Sequence, residues 1–257
     1  MVSLKESGLQ LHDGFIIHLK RAKQREPQVS RIIEALPFRT RLVDAVDGRD
    51  LSKEQLMRYE VNILSPKYPF SLRPAEIATF LSHRKCWQQI VDEELCAALI
   101  VEDDVEIEPS EFGAAISLAM QAATQGDFIR FPVKNREKRG LKLSVDGTTN
   151  IFKPWQIGLG MHCQVVTYEA ARRLLERTAQ FDRPVDTYLQ LSWEHGVRVL
   201  SLWPSGLLEN SANLGGSLIG SPKSRIEKLQ REVLRPLYRA KLSMKAICAR
   251  KNNEKAR

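Results

Sequence analysis

Short apolar runs alternate with amphipathic stretches along the chain. Residues 15–19 (FIIHL) follow Asp13-Gly14 and precede a charged segment, which predicts a buried first strand feeding a helix. Residues 39–46 (RTRLVDAV) alternate as a second strand, closed by a turn at Asp47-Gly48. A short helix is predicted over 52–59, with Ser52 as N-cap and Gln55 completing a capping box. The proline-containing stretch 65–74 reads as a loop. After Pro74 a longer helix is expected, since Ile77, Phe80, Leu81, Arg84, Trp87 and Val91 mark one face at spacings of three and four. Residues 97–101 (AALIV) predict a central strand that ends abruptly in Glu102-Asp103-Asp104.

The second half continues the alternation. A helix over 109–123, a strand over 127–131, a basic loop over 134–142 and a strand over 161–167 are followed by helices over 168–179 and 184–195 and a strand over 197–202. Strands alternating with helices imply an α/β fold with a mostly parallel sheet flanked by helices. Ligands of such sheets bind beyond the carboxyl ends of the strands. No repeat interrupts the pattern, so a domain over 1–221 and a tail over 222–257 are expected.

Charge separates those two parts. The chain of 257 residues carries a formal +8, but residues 222–257 hold 12 Lys/Arg and 3 Glu, leaving the body near neutral. In the tail, Ile226, Leu229, Val233 and Leu237 recur at helical spacing, while Arg225, Lys228, Arg231, Arg235 and Arg239 fall mostly elsewhere around the wheel and Pro236 marks a kink. Such a basic amphipathic helix suits an anionic membrane surface or packs on its own domain. With Tyr238 as its one aromatic, the tail lacks the basic-aromatic interleaving of a nucleic-acid reader.

A composition of 43% hydrophobic and 27% charged residues is that of a globular protein. No apolar stretch reaches the roughly 18 residues of a bilayer span. The first residues, MVSLKESGLQLHDG, place charges where a secretory signal would be apolar, so a cytoplasmic protein is expected. Cys86, Cys96, Cys163 and Cys248 form no CxxC pair and read as free, buried thiols.

Three consecutive carboxylates after a buried strand repel one another in partial desolvation. Alternation along a strand directs Glu102 and Asp104 to one side and Asp103 to the other. Two converging carboxylates suit a hard cation, Mg2+ or Mn2+, with water and phosphate oxygens completing its shell. The alternative is an acidic turn capping the helix near Pro109.

The run over 73–105, RPAEIATFLSHRKCWQQIVDEELCAALIVEDDV, resembles glycosyltransferase family 25, in which a GEIGC-type helix start, an LSH triplet and an EDD strand end follow at this spacing. Upstream, Ile17-His18-Leu19-Lys20-Arg21 with Arg25, and Ala45-Val46-Asp47-Gly48, are similar to the family's opening strand and AvDG turn. Downstream, GMHCQVVTYEAARRLL over 160–175 and Pro184-Val185-Asp186 are similar to its GxxxYVIS segment and P-(V/I)-D. Ala75 and Ala78 stand where the family usually has glycine, His18 where it has Asn, and Gln164 where it often has an aromatic residue.

The resemblance implies a GT-A-like fold and an inverting transfer of a hexose, typically galactose, from a UDP-sugar. The expected acceptor is a cell-surface glycolipid or lipopolysaccharide, and the implied cofactor is a divalent metal, Mn2+ or Mg2+. On that footing Asp104 is the first metal ligand, supported by Glu102, and Glu102 and Asp103 contact the donor. Arg21 and Arg25 would fork to donor phosphate, or form a solvated basic loop. Asp47 would meet the uridine, or make its turn with Gly48. Glu76 and His83, seven apart on one helix face beside Ser82, would line the donor pocket or orient the carboxylate cluster, or else anchor the helix to the sheet. An inverting transferase needs a general base, and Asp186 is the candidate, or else an ordinary charge at a helix start, with Asp182 and Glu209 in reserve. Arg136, Lys138 and Arg139 of the basic loop would face an acidic acceptor, or form an ordinary solvated loop. Two other readings are a nucleotidyltransferase-type nucleotide-binding protein and a non-catalytic relative whose tail does the work; neither GxGxxG nor GxxxxGK[ST] occurs.

Overall fold

The computed structural model describes residues 9–137, 140–210 and 225–255, the last at the backbone level beyond 231–249. In chain order the elements are β1 (Asp13–His18), α1 (Glu26–Ala35), β2 (Arg39–Asp44), α2 (Lys53–Met57), α3 (Pro74–Asp92), β3 (Ala97–Glu102), β4 (Val105–Ile107), α4 (Pro109–Ala122) and β5 (Asp127–Arg130). They continue with β6 (Leu141–Asp146), β7 (Thr149–Lys153), β8 (Cys163–Thr167), α5 (Tyr168–Arg177), α6 (Val185–Leu189), α7 (Ser192–His195), β9 (Arg198–Trp203), β10 (Leu207–Glu209) and α8 (Arg225–Lys255).

Eight strands form one sheet in the order β2-β1-β3-β8-β5-β9-β7-β6, and β4 pairs with β10 apart from it. Parallel pairing of β1 with β2 and β3, and of β5 with β9, sets six strands in one direction, with β8 and β7 reversed. The fold is therefore α/β with a mostly parallel sheet. Because β8 runs against β3 and β5, its start lies at their carboxyl ends.

The strand sequences explain the two cores. In β3, Ala98 and Ile100 join one cluster with Ile77, Phe80, Leu81 and Trp87 of α3 and with α5 and α6. Ala97, Leu99 and Val101 join the other, with Val29 and Ile32 of α1 and Phe112, Ala115 and Leu118 of α4. The period of two thus places a helical layer on each face. Phe80 stacks on Phe181 with centroids 3.9 Å apart and meets Trp87 and Tyr188 edge-on, so α3 is locked to the segment leading into α6.

The sequence pattern anticipates most elements, including the Ser52–Gln55 capping box of α2. It differs in three places. The basic loop ends earlier, because β6 begins at Leu141 and pairs with β7 around Gly147. The helix expected over 184–195 breaks into α6 and α7, with Leu191 non-helical between them. The pair β4·β10 goes unanticipated, since strands of three residues carry too little periodicity to read. Of the four free thiols, Cys86 and Cys163 are buried as expected, whereas Cys96 and Cys248 are exposed.

Helix α8 is held to the body by Tyr238 and Leu242, which pack with Leu191 against Leu64, Tyr68 and Trp193. The Tyr238 hydroxyl accepts a 2.8 Å bond from the buried Arg183 guanidinium, itself paired with Asp182. Arg231 lies 4.7 Å over the Phe70 ring. Ile226 and Leu229 have side chains outside the described residues.

Candidate active site

The acidic run closes β3 at the carboxyl edge of the sheet, and alternation sends its members to different partners. Glu102 continues the face of Ala98 and Ile100, so it meets α3, where the fully buried His83 lies 3.2 Å away through Nε2. Asp103 turns to the α1 face. There its two oxygens accept from His18 Nδ1 at 2.7 Å and from Arg25 at 2.5 Å. All three of these side chains are buried. Asp103 thereby neutralises a cation that burial would otherwise make costly.

Asp104 stands between these groups. Its Oδ2 is 3.5 Å from Arg25, while its Oδ1 is buried without a partner. Burial, followed by repulsion from Glu102, pushes its carboxyl up to about 6. At Glu102 burial acts in the same sense, but the His83 bond and neighbouring positive charge outweigh it, so the carboxyl is held below its ordinary value. A negatively charged pair with one orphaned oxygen fits a hard cation. Among the described residues no three His, Cys, Asp or Glu side chains converge as a closed cage. Glu102 and Asp104 would then be the protein's ligands, with the remaining positions open to other oxygen donors.

His83 is oriented in turn. Gln164, buried on β8 opposite Ile100, donates from Nε2 to His83 Nδ1 at 3.2 Å. That bond leaves the His83 proton on Nε2, facing Glu102. Ser82 bonds Ala78 O and accepts from Val46 N, tying α3 to the chain after β2.

The β2 end carries a second charged pair. Arg21 forks onto Asp47 at 2.5 and 3.3 Å, and this bond holds the Asp47 carboxyl below its usual range. The Asp47-Gly48 turn touches the start of α3, where a Cβ on Gly48 would come within 2.8 Å of Ala75 N. Glu76 caps that helix by accepting from Arg73 N at 2.8 Å, one turn-pair away from His83. Glu76 and His83 therefore serve different partners.

Asp186, at the start of α6, accepts from Gly160 N at 2.9 Å and from the Thr187 amide and hydroxyl. Gly160 lies just before His162, whose carbonyl accepts the Glu102 amide and whose ring charge acts on both Glu102 and Asp104. Asp186 thus fixes the loop that borders the acidic pair. Arg130, ion-paired with Glu137, holds the same loop through Gly160 O at 2.6 Å. Asp182 is consumed by Arg183 and Leu64 N. Glu209, across the β4·β10 ladder from Val105, pairs with Lys134, and the next residue's amide bonds Asp104 O at 2.9 Å. Arg136 lies in the described part of the basic loop, whereas Lys138 and Arg139 fall outside the described residues.

Three participants escape the sequence reading as site residues: His18, Gln164 and His162. Their signal is topological, because β1 and β8 are the neighbours of β3. A shallow cavity of about 320 Å³ lined by Glu94, Cys96, Gln125, Tyr168 and Glu169 lies at the opposite end of β3 and carries none of this chemistry.

Comparison with known proteins decides the family. The profile of glycosyltransferase family 25 (LPS biosynthesis protein) matches residues 12–189. The chain belongs to glycosyltransferase family 25. It is 31% identical over 202 residues to a glycosyltransferase 25 family member of Drosophila melanogaster, covering 74% of this chain and 32% of the relative. To procollagen galactosyltransferase 2 of Homo sapiens it is 30% identical over 194 residues, covering 70% and 30%. A probable inactive glycosyltransferase 25 family member 3 of Rattus norvegicus is 35% identical over 109 residues, covering 40% and 19%. The family 25 chain therefore spans about a third of the length of the first two relatives. Its matched segment contains the whole Glu102–Asp104 cluster and Asp186.

Proposed function

We propose that this family 25 chain is an inverting hexosyltransferase with a GT-A-like fold, moving galactose or a related hexose from a UDP-sugar to a glycolipid or lipopolysaccharide acceptor. The observation that carries the reading is the orphaned, buried Asp104 oxygen beside Glu102 at the carboxyl edge of the sheet. A divalent ion, Mn2+ or Mg2+, held there by Asp104 and Glu102 would neutralise charge on the departing diphosphate.

The chain's own residues do the rest. Arg25, fixed by Asp103, presents a preorganised positive charge beside the phosphate position. Arg21 and Asp47, at the mouth of the site, bind the nucleoside and phosphate end of the donor by exchanging their mutual fork for donor contacts. His83 holds Glu102 in orientation, and Glu76 fixes the helix that carries His83. Asp186 removes the acceptor hydroxyl proton as that oxygen attacks opposite the leaving diphosphate. Glu209 is the second reading for the base, favoured by its place across the ladder from the residue after Asp104.

No helix among the described residues is long and apolar enough to cross a membrane. Access to a glycolipid would come through peripheral contact of the basic tail with an anionic leaflet, on the cytoplasmic side.

The deciding experiment is UDP release from a panel of UDP-hexoses, with metal-free protein, with and without Mn2+. Metal-dependent release from one donor supports the reading. If no donor gives UDP with acceptor present, and calorimetry detects no donor binding, the transferase reading fails and a non-catalytic role replaces it. Comparing Asp186→Asn with Glu209→Gln then assigns the base, since the loss in kcat belongs to one of them.

A further inference from the structure

Helix α8 is apolar on two faces, and the body covers one. Tyr238 and Leu242 are buried against the body, and Lys245 on the same side bonds Ser65 O at 3.1 Å and lies 5.4 Å over Trp193. Val233, Leu237, Met244 and Ile247 are 56%, 54%, 68% and 52% exposed. Their spacings of four, seven and three, at 3.6 residues per turn, put them in one stripe along the helix. Ala240 and Cys248 fall in the same stripe. The buried pair lies on the far side of the wheel.

Charge borders the stripe. Lys241 follows one edge; on the other, Glu232 stands before Arg239, all three exposed, and Arg235 lies further round, so the flanks are basic on balance. Between 231 and 249 the helix carries five basic residues and one acid, Glu232. A second copy laid along the stripe would bring these cations against their own kind, as at the flanking positions of a coiled coil. A layer of anionic headgroups over acyl chains complements both the apolar stripe and its basic borders.

We propose that the outward stripe of α8, Val233-Leu237-Met244-Ile247, is a bilayer-contact face that lies in an anionic leaflet while Tyr238 and Leu242 keep the helix fixed to the body. The inference rests on the reading of the basic tail as a surface-associating segment and names the side chains that enter the lipid. It also fixes orientation. The loop under α8 places Tyr68 5.4 Å from Tyr238 and close enough to Glu76 and Asp186 for their charges to act on its hydroxyl, so docking at the membrane holds the acceptor side of the fold at a set attitude to the lipid.

The test is flotation of the full chain with phosphatidylglycerol-containing and pure phosphatidylcholine vesicles. Wild type is expected to float with the anionic vesicles, and Leu237→Glu with Met244→Glu to float at least tenfold less. Arg239→Glu with Lys241→Glu should lose binding in the same assay and abolish its sensitivity to salt. Tyr238 and Leu242 are left intact, so thermal unfolding and UDP release in the absence of vesicles should match wild type. Undiminished flotation of the Leu237/Met244 variant overturns the proposal. So does a wild-type dimer by light scattering that this variant converts to monomer, which would assign the stripe to self-association. Because flotation is read without any sugar donor, failure of the transferase reading would leave this result standing on its own.

Discussion

Gln164 donates its side-chain amide to His83 Nδ1 and so decides which nitrogen of that ring faces Glu102. The residue stands where the family often carries an aromatic, and here it serves as the far end of a relay that runs from β8 through α3 to β3. A hydrophobic replacement of similar size keeps the packing and removes the tautomer control. Gln164→Leu should lower the rate of UDP release about 10- to 100-fold, the usual range for a group that orients a ligand. His83→Ala should cost at least as much. Equal rates for wild type and Gln164→Leu would show that Glu102 needs no such support.

The two adjacent aspartates should behave oppositely in stability. Asp103→Ala leaves Arg25 charged and buried without its main partner, for a loss of about 3–5 kcal/mol and a melting temperature lower by roughly 10 °C. Asp104→Asn removes repulsion from Glu102 and should leave the neutral-pH melting temperature unchanged or raised, while abolishing transfer. Thermal unfolding of both variants, measured without added metal, checks the contrast.

Gly160 adopts φ +98°, and a Cβ there would sit 2.7 Å from the His162 ring. Gly160→Ala should therefore displace His162 and the carbonyl that receives the Glu102 amide. The expected cost is about 1–3 kcal/mol of stability, with a fall in kcat beyond tenfold. A variant with normal kcat would remove this loop from the site.

His195 supplies a pH dependence independent of the acidic cluster. Buried between α6 and β9, it bonds Leu189 O and accepts from Val197 N, and burial lowers its pKa from 6.5 to about 4. The unfolded chain takes up the proton first as pH falls. Its contribution is present above pH 6.5 and is lost between 6.5 and 4, by about 3 kcal/mol. Denaturant unfolding across that window should show the loss. His195→Gln should flatten the slope.

Much of this arrangement is legible in the chain, for identifiable reasons. The apolar run of β3 and its period of two give both the central strand and the divergence of Glu102 from Asp103. The Ser52 cap and the α3 face are local patterns, and local patterns survive folding. Asp103's partners are a different matter, since His18 and Arg25 reach it from 85 and 78 residues away through a parallel pairing that no spacing encodes. The β6·β7 hairpin is missed although Leu141, Leu143 and Val145 alternate with polar residues; these three apolar side chains stay exposed on the edge strand, next to the basic run that reads as a loop. In α8 the spacing of Val233 and Leu237 marks a face suited to a membrane surface or to the body, and the packing on the body is done by Tyr238 and Leu242, with Arg183 as partner to the tyrosine hydroxyl.

The reversal of β8 has an architectural consequence. Between β5 and β8 the chain leaves the sheet's working edge, makes the β6·β7 excursion and returns to that same edge at His162, ready to run back beside β3. Both of its ends are stitched down by Arg130, Glu137 and Gly160, and β7 within it pairs with β9 and buries Ile151 and Phe152, so room for change is greatest in the exposed edge strand β6 and the turn at Gly147. A change in that outer strand is thus separated from β5 by β7 and β9, while the carboxylates stay on the frame that holds them.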